Sequence, residues 1–267
     1  MLTKKEKKVK TSSKILICAL VLVLCAAFAF AAPSDKAYVV KKGTLVVGIT
    51  DFAPMDYKEG NKWVGFDADM ANAFAKYLGV KCEFIEIDWD SKSMELANKT
   101  IDCVWNGMTL TDGVKKAMAT SNPYCNNAQI IVTKKAIAGS LKKAADAKKL
   151  KFAVEAGSAG EEAAKENGYK AMAVDTQAAA VMEVAAGTSE ACIIDSLMAA
   201  AMVGPKTSYP DLAYSVALTT EEYGVGFRKD SDLVPAINDF FKKAYADGSM
   251  MKTAEKYGTQ ASIIPQK

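Results

Sequence analysis

Twice along this chain, short apolar runs of strand length alternate with stretches of helical periodicity, and that double alternation leaves few architectures open. In the first series, strands are expected at 44–49, 82–87 and 101–105, with helices at 67–78 and 91–98 between them. Met70, Phe74, Tyr77 and Leu78 recur at helical spacing, and Gly79 follows as the usual glycine just past a helix end. In the second series, strands at 129–133, 152–154, 170–174 and 191–194 alternate with helices at 142–150, 159–167, 178–186 and 196–202. A strand-like stretch at 223–227 and two helices, 233–246 and 250–257, close the chain. Alternation of this kind implies an α/β fold with helix-flanked, mostly parallel sheets. Two such units in succession predict two lobes with a cleft between them, and clefts outside the carboxyl ends of parallel strands are the usual ligand sites.

Length and charge narrow the function. The 267 residues suit one large domain or two modest lobes, and 50% of them are apolar, enough for a real core. The net charge is only +3, and much of the excess sits in Lys4, Lys5, Lys7, Lys8, Lys10 and Lys14, which face Glu6 alone. The remainder is close to neutral and offers no basic stripe for nucleic acid. The Lys-rich stretch 136–151 reads as a solvated face.

The basic run leads into an apolar segment at 15–32 that ends in small residues, the pattern of a secretory signal. Ala29-Phe30-Ala31 is the best cleavage signature, giving a signal peptide at 1–31 and a short polar leader at 32–42. The alternative, an uncleaved anchor, has about the length needed to span a bilayer. Leu22-Val23-Leu24-Cys25 resembles a lipid-attachment box with Leu24 where a small residue is usual, so Cys25 is a candidate anchor. The expected location is therefore outside the cytoplasm, in the periplasm or cell envelope.

Cys82, Cys103, Cys125 and Cys192 follow the signal. Export permits disulfides, and four cysteines allow three pairings. All four lie in or beside apolar runs, which favours buried free thiols. Their spacing fits no zinc site. The chain has no histidine, the commonest general base and metal ligand. No metal or cofactor is expected.

Several motifs, in order and spacing, resemble the bacterial extracellular solute-binding proteins of family 3, over about 43–258. Gly65-Phe66-Asp67-Ala68-Asp69-Met70 is similar to that family's glycine–aromatic–acid signature, with Ala68 smaller than usual. The stretch 101–111, containing Trp105-Asn106-Gly107-Met108-Thr109, resembles its ligand-reaching strand and loop, and Ser121-Asn122-Pro123-Tyr124 follows at the family's spacing. Ala156-Gly157-Ser158-Ala159, Ile194-Asp195 and Tyr223-Gly224-Val225-Gly226-Phe227-Arg228-Lys229 resemble the second lobe's turn, its acidic position and the return strand.

The resemblance implies a two-lobed, type II periplasmic-binding-protein-like fold with two crossover segments. Lobe 1 would be 43–131 plus 223–267, and lobe 2 would be 132–222. It implies a small polar solute, an amino acid or an analogue, captured by hinge closure near Thr133 and near 220–224. A monomer would then dock on an ABC permease in the cytoplasmic membrane, with no catalysis. The second reading is an envelope ligand sensor or antigen with altered or lost amino-acid binding; a dehydratase or lyase on the same scaffold ranks last.

By the same resemblance, Asp195 receives the ligand's ammonium, against the simpler reading of a cap for the helix at 196–202. Asp51 is a second polar contact or a turn residue. Phe52 and Trp89 present aromatic faces to the ligand, outside the core, whereas Trp105 is core or cleft edge. Asn106, Gly107 and Thr109 supply backbone groups and a hydroxyl. Gly157, Ser158 and Ala159 open a helix whose free N–H groups suit an anion, and Ser158 also caps that helix ahead of Glu161. One departure concerns the carboxylate. The family places an arginine three residues after the loop's second threonine, and here that position is Val114. Arg228, the chain's single arginine, belongs to the return strand. The adjacent Lys115 is the candidate carboxylate partner, as a point charge rather than a planar fork.

Overall fold

The computed structural model describes residues 34–267. The expected signal peptide, its cleavage site, Cys18 and Cys25 lie outside the described residues. Among the described residues, no helix is long and apolar enough to cross a membrane.

The first unit runs α1 (Asp35–Lys42), β1 (Thr44–Ile49), the hairpin β2 (Tyr57–Glu59) and β3 (Lys62–Val64), α2 (Phe66–Leu78) and β4 (Lys81–Glu86). A 3-10 turn at Trp89–Ser91 leads into α3 (Lys92–Ala97), then β5 (Cys103–Val104), α4 (Asp112–Ala117) and β6 (Ala119–Thr120). The chain crosses over through β7 (Cys125–Asn127). The second unit runs β8 (Gln129–Lys134), α5 (Lys135–Ala138), β9 (Lys151–Glu155), α6 (Ala159–Glu166), β10 (Lys170–Val174) and α7 (Gln177–Ala186). It continues through β11 (Ala191–Asp195), α8 (Ser196–Met202) and β12 (Leu212–Ala217). Return is through β13 (Glu221–Tyr223) to β14 (Gly226–Phe227), α9 (Leu233–Ala246) and α10 (Ser249–Tyr257).

Each unit carries a five-stranded sheet, ordered β4-β1-β5-β14-β6 and β10-β9-β11-β8-β12. In each, one strand runs against the others: β14 is antiparallel to β5 and β6, and β8 is antiparallel to β11 and β12. These reversed strands are the first ones laid down after each crossing. The crossings themselves pair with each other, as β7 and β13 form an antiparallel ribbon with Tyr223 opposite Cys125. The connection between lobes is therefore this ribbon. Thr133, expected near a hinge, is fully buried in β8 and paired with Ala191 and Ala213.

The stretch expected as a polar leader is instead helix α1. Ser34 caps it through the Ala37 N–H at 2.9 Å, Asp35 and Lys42 sit at the ends the helix dipole favours, and Gly43 ends it in the left-handed conformation. Buried Val39 fixes it to lobe 1. The helix expected at 142–150 shrinks to a 3-10 turn, Ala144–Ala147. That run lacks an apolar face to bury, and short helices without one are marginal. No helix or strand was expected at β2–β3, joined by Gly60-Asn61, at α4, β6, β7 or α5, or at the half-exposed strand β12.

Phe74, Trp105, Tyr124, Phe240 and Phe241 pack as an aromatic cluster within the lobe-1 core, with ring centroids 5.4–6.3 Å apart for the contacting pairs. Trp105 is thus core. Cys82, Cys103, Cys125 and Cys192 are free thiols. Arg228 serves lobe 1: it pairs with Asp35 at 2.9 Å, donates to the Ile101 carbonyl at 2.8 Å and approaches Asp102 at 3.5 Å.

Candidate functional site

The two lobes close on a narrow cavity of about 30 Å3, room for little more than a water or two. Entry of a solute therefore requires the lobes to part. Asp51, Phe52, Trp89, Asn106, Gly107, Thr109, Ser158, Ala159 and Asp195 all reach its wall, as do Val114 and four groups not foreseen: Lys92, Glu155, Glu162 and Gln177. Lys115 does not. It is exposed on α4 and faces a wider groove beside the mouth, with Glu162, Glu166 and Glu221.

On the lobe-1 side, Phe52 and Trp89 are buried, at 2% and 8% exposure, rather than standing free in polar turns. Phe52 lies under Gly107, where a Cβ would come 2.2 Å from its Cε1, so only glycine allows this loop to rest on the ring. The Gly107 backbone, at φ +53, is also one that glycine adopts most readily. The side chain of Asn106 is fully engaged in holding the loop: it accepts from the Thr50 N–H and hydroxyl, and donates to the Thr50 carbonyl and to Asp56. Asp67 accepts from the Gly107 N–H at 2.6 Å and from Tyr124 at 2.7 Å. Burial raises the Asp67 carboxyl to about 7, and burial beside Asp67 pushes Asp56 well up. Burial, then Glu86, also raises Asp51.

The lobe-2 side is built on strand ends. Asp195 closes β11, and its side chain makes no helix-cap bond. Its Oδ1 accepts from Tyr223 at 2.7 Å, from Gln129 at 3.1 Å and from Asn127, while Oδ2 accepts from Gln177. Burial and the nearby Glu221 raise its carboxyl to about 7 against those hydrogen bonds. Glu221, on the crossing ribbon, accepts from Thr109, Asn127 and Gln129 at 2.7–2.8 Å and so ties the lobe-1 loop to that ribbon. Ser158 acts as the cap, accepting the Glu161 N–H at 3.1 Å and donating to the Glu155 carbonyl. Glu155 ends β9 with its Oε1 unpartnered, and burial, then Asp195, raises its carboxyl to about 8.

Lys92 bridges the two sides. Its ammonium donates to the carbonyls of Trp89 and of Gly157 on the opposite lobe, both at 2.9 Å, and lies 4.6 Å from the Trp89 ring centroid. Burial lowers its pKa, opposed by Glu155, Asp90 and Glu162.

Two α/β lobes on a two-strand ribbon, closing over a polar cleft, define a solute-binding protein of the periplasmic type. A family model described as bacterial extracellular solute-binding proteins, family 3, matches residues 45–260. The chain belongs to that family. It is similar to the L-cystine-binding protein TcyJ of Escherichia coli strain K12, with 31% identity over 224 residues, 82% of this chain and 84% of that one. It is also similar to the arginine-binding extracellular protein ArtP of Bacillus subtilis, with 32% identity over 90% of this chain and 96% of that one. Among solved structures, the P235GK mutant of ArgBP from T. maritima matches with a TM-score of 0.78 at 33% identity, over 84% of this chain and 98% of that one.

Of the residues not foreseen, two had partial signals. Glu155 stands at the carboxyl end of a parallel strand, where ligand groups concentrate. Lys92 follows Trp89 by one helical turn. Gln177 and Glu221 carry no local signal, because only the fold brings them to Asp195.

Proposed function

We propose that this protein captures a free amino acid or a closely related polar solute outside the cytoplasm by closing its lobes, and presents it to an ABC-type permease. The observation that carries this reading is convergence: side chains from both lobes, distant in sequence, meet at one polar cavity beside the crossing ribbon. The relatives' names, for cystine and arginine binding, support an amino-acid ligand. The moving bodies are about 43–127 with 224–267, and 128–220, turning on β7 and β13.

Asp51, Phe52, Trp89, Gly107, Thr109, Ala159 and Asp195 form the ligand wall in this reading, with Asn106 and Ser158 holding its loops. The protein works as a monomer, binds without turnover, and is held at the envelope through Cys25 if that thiol is lipidated. A thermal-shift panel of the twenty standard L-amino acids, L-ornithine and L-cystine tests the reading. At 100 times its dissociation constant, a ligand adds about 2.7 kcal/mol, so at least one chemical class should raise the melting temperature clearly. No shift from any member would sink it.

A further inference from the structure

Four observations bear on how the cleft would read a solute. The wall position beside α4 is the apolar Val114, and Lys115 faces elsewhere, so neither supplies a cation to the cavity. Lys92 is the cation that does line it. Its ammonium has three N–H groups, of which two go to backbone carbonyls, and among the described residues it makes no ion pair within 4.0 Å. One charged donor is therefore left over in a buried site, where an unpaired charge is costly. Opposite, Glu155 is 3% exposed and its Oε1 has no partner, whereas the Asp195 carboxylate already takes four donors.

A buried cation and a buried carboxyl group that ionises when a cation arrives, on opposite lobes and not paired with each other, complement a molecule that carries both charges. We propose that Lys92 and Glu155 are the clamp for a zwitterionic solute: the Lys92 ammonium takes its carboxylate, and the Glu155 carboxylate takes its ammonium. This rests on the cleft being the solute site, as proposed above. The two ends of one ligand then engage one residue from each lobe, so binding itself favours the closed form. Because Lys92 already reaches the Gly157 carbonyl, its ammonium stays at the seam as the lobes meet. The raised carboxyl of Glu155 is what a carboxylate awaiting a cation would show.

Titration calorimetry on the whole protein separates the two charges. The probes are the amino acid giving the largest thermal shift, its decarboxylated amine and its des-amino acid. Lys92→Met should weaken the amino acid about tenfold or more and leave the amine within about twofold. Glu155→Gln should weaken both the amino acid and the amine by about tenfold and spare the des-amino acid. Lys92→Arg keeps the charge and should retain most of the amino-acid affinity, which guards against a variant that merely folds poorly. Equal losses for amino acid and amine in Lys92→Met, or an unchanged Glu155→Gln, overturn the clamp while leaving the solute-binding reading intact. If no amino acid binds the native protein at all, both fall together.

Discussion

The Lys92 ammonium of lobe 1 reaches the Gly157 carbonyl of lobe 2 at 2.9 Å, so the seam between the lobes is held by a charged group that also lines the cavity. In the proposed clamp, closure and recognition share this one side chain. Gly157 is the other half of that contact. Its φ is +68, and a Cβ there would lie 2.7 Å from the Asp90 Cα across the cleft.

Gly157→Ala should accordingly hinder closure. Backbone lies opposite the added methyl, so the lobes must stay apart by a fraction of an ångström or more. Solute affinity should fall at least about tenfold, with a stability loss in the ligand-free protein of only about 1 kcal/mol from the left-handed backbone. Calorimetric titration beside urea unfolding checks the split; equal affinity in the variant would show that the lobes bind without meeting here.

Arg228→Met should do the reverse. Arg228 is the sole arginine, and it compensates Asp35 and Asp102 within lobe 1 and does not line the cavity. Removing one partner of a buried pair costs roughly 3–5 kcal/mol. The unfolding free energy from urea titration should drop by that much, with the amino-acid dissociation constant of the folded fraction unchanged.

Acid carboxyls held protonated set the pH response. Burial raises Glu155 to about 8 and both Asp67 and Asp195 to about 7, well above the carboxyl values near 4 of an unfolded chain. Between those limits the folded state holds protons that the unfolded chain has released, so stability declines as pH rises. Unfolding midpoints of ligand-free protein should be higher near pH 5 than near pH 8, and Glu155→Gln should flatten part of that slope. A midpoint that climbs from pH 5 to pH 8 would contradict this assignment. A bound ammonium favours ionised Glu155, so the stabilisation conferred by the ligand should grow over the same range.

Val114→Arg offers a second cation from the wall itself. In a Lys92→Met background it should restore carboxylate binding by about tenfold, since a planar fork pairs with a carboxylate at least as well as an ammonium. Failure of this rescue, with the variant folded, would mean that the carboxylate lies away from α4.

Much of this was legible in the sequence because the α/β alternation is strong where strands are buried on both faces. β1 and β11 are continuous apolar runs, and helix α2 shows its stripe. The α1 helix was hidden by its polarity: only Val39 and its caps mark it. The site residues fared likewise. Those on loops with glycine or aromatic signatures, such as Gly107 and Trp89, could be named, although their burial could not. Glu221 and Gln177 act on Asp195 from 26 and 18 residues away. No spacing rule links such positions: the crossing ribbon brings Glu221 to Asp195, and the packing of α7 on β11 brings Gln177. Lys115 was the natural substitute for a missing arginine by adjacency in sequence, but on α4 it points out of the cavity that Val114 faces.

A crystal structure of the protein with the best-binding amino acid would test the clamp most directly. The solute's carboxylate should lie within hydrogen-bond distance of Lys92 Nζ, and its ammonium within the same distance of Glu155, with the lobes closed over both. A carboxylate resting on Lys115 or on the start of α6, with Glu155 untouched, would contradict it.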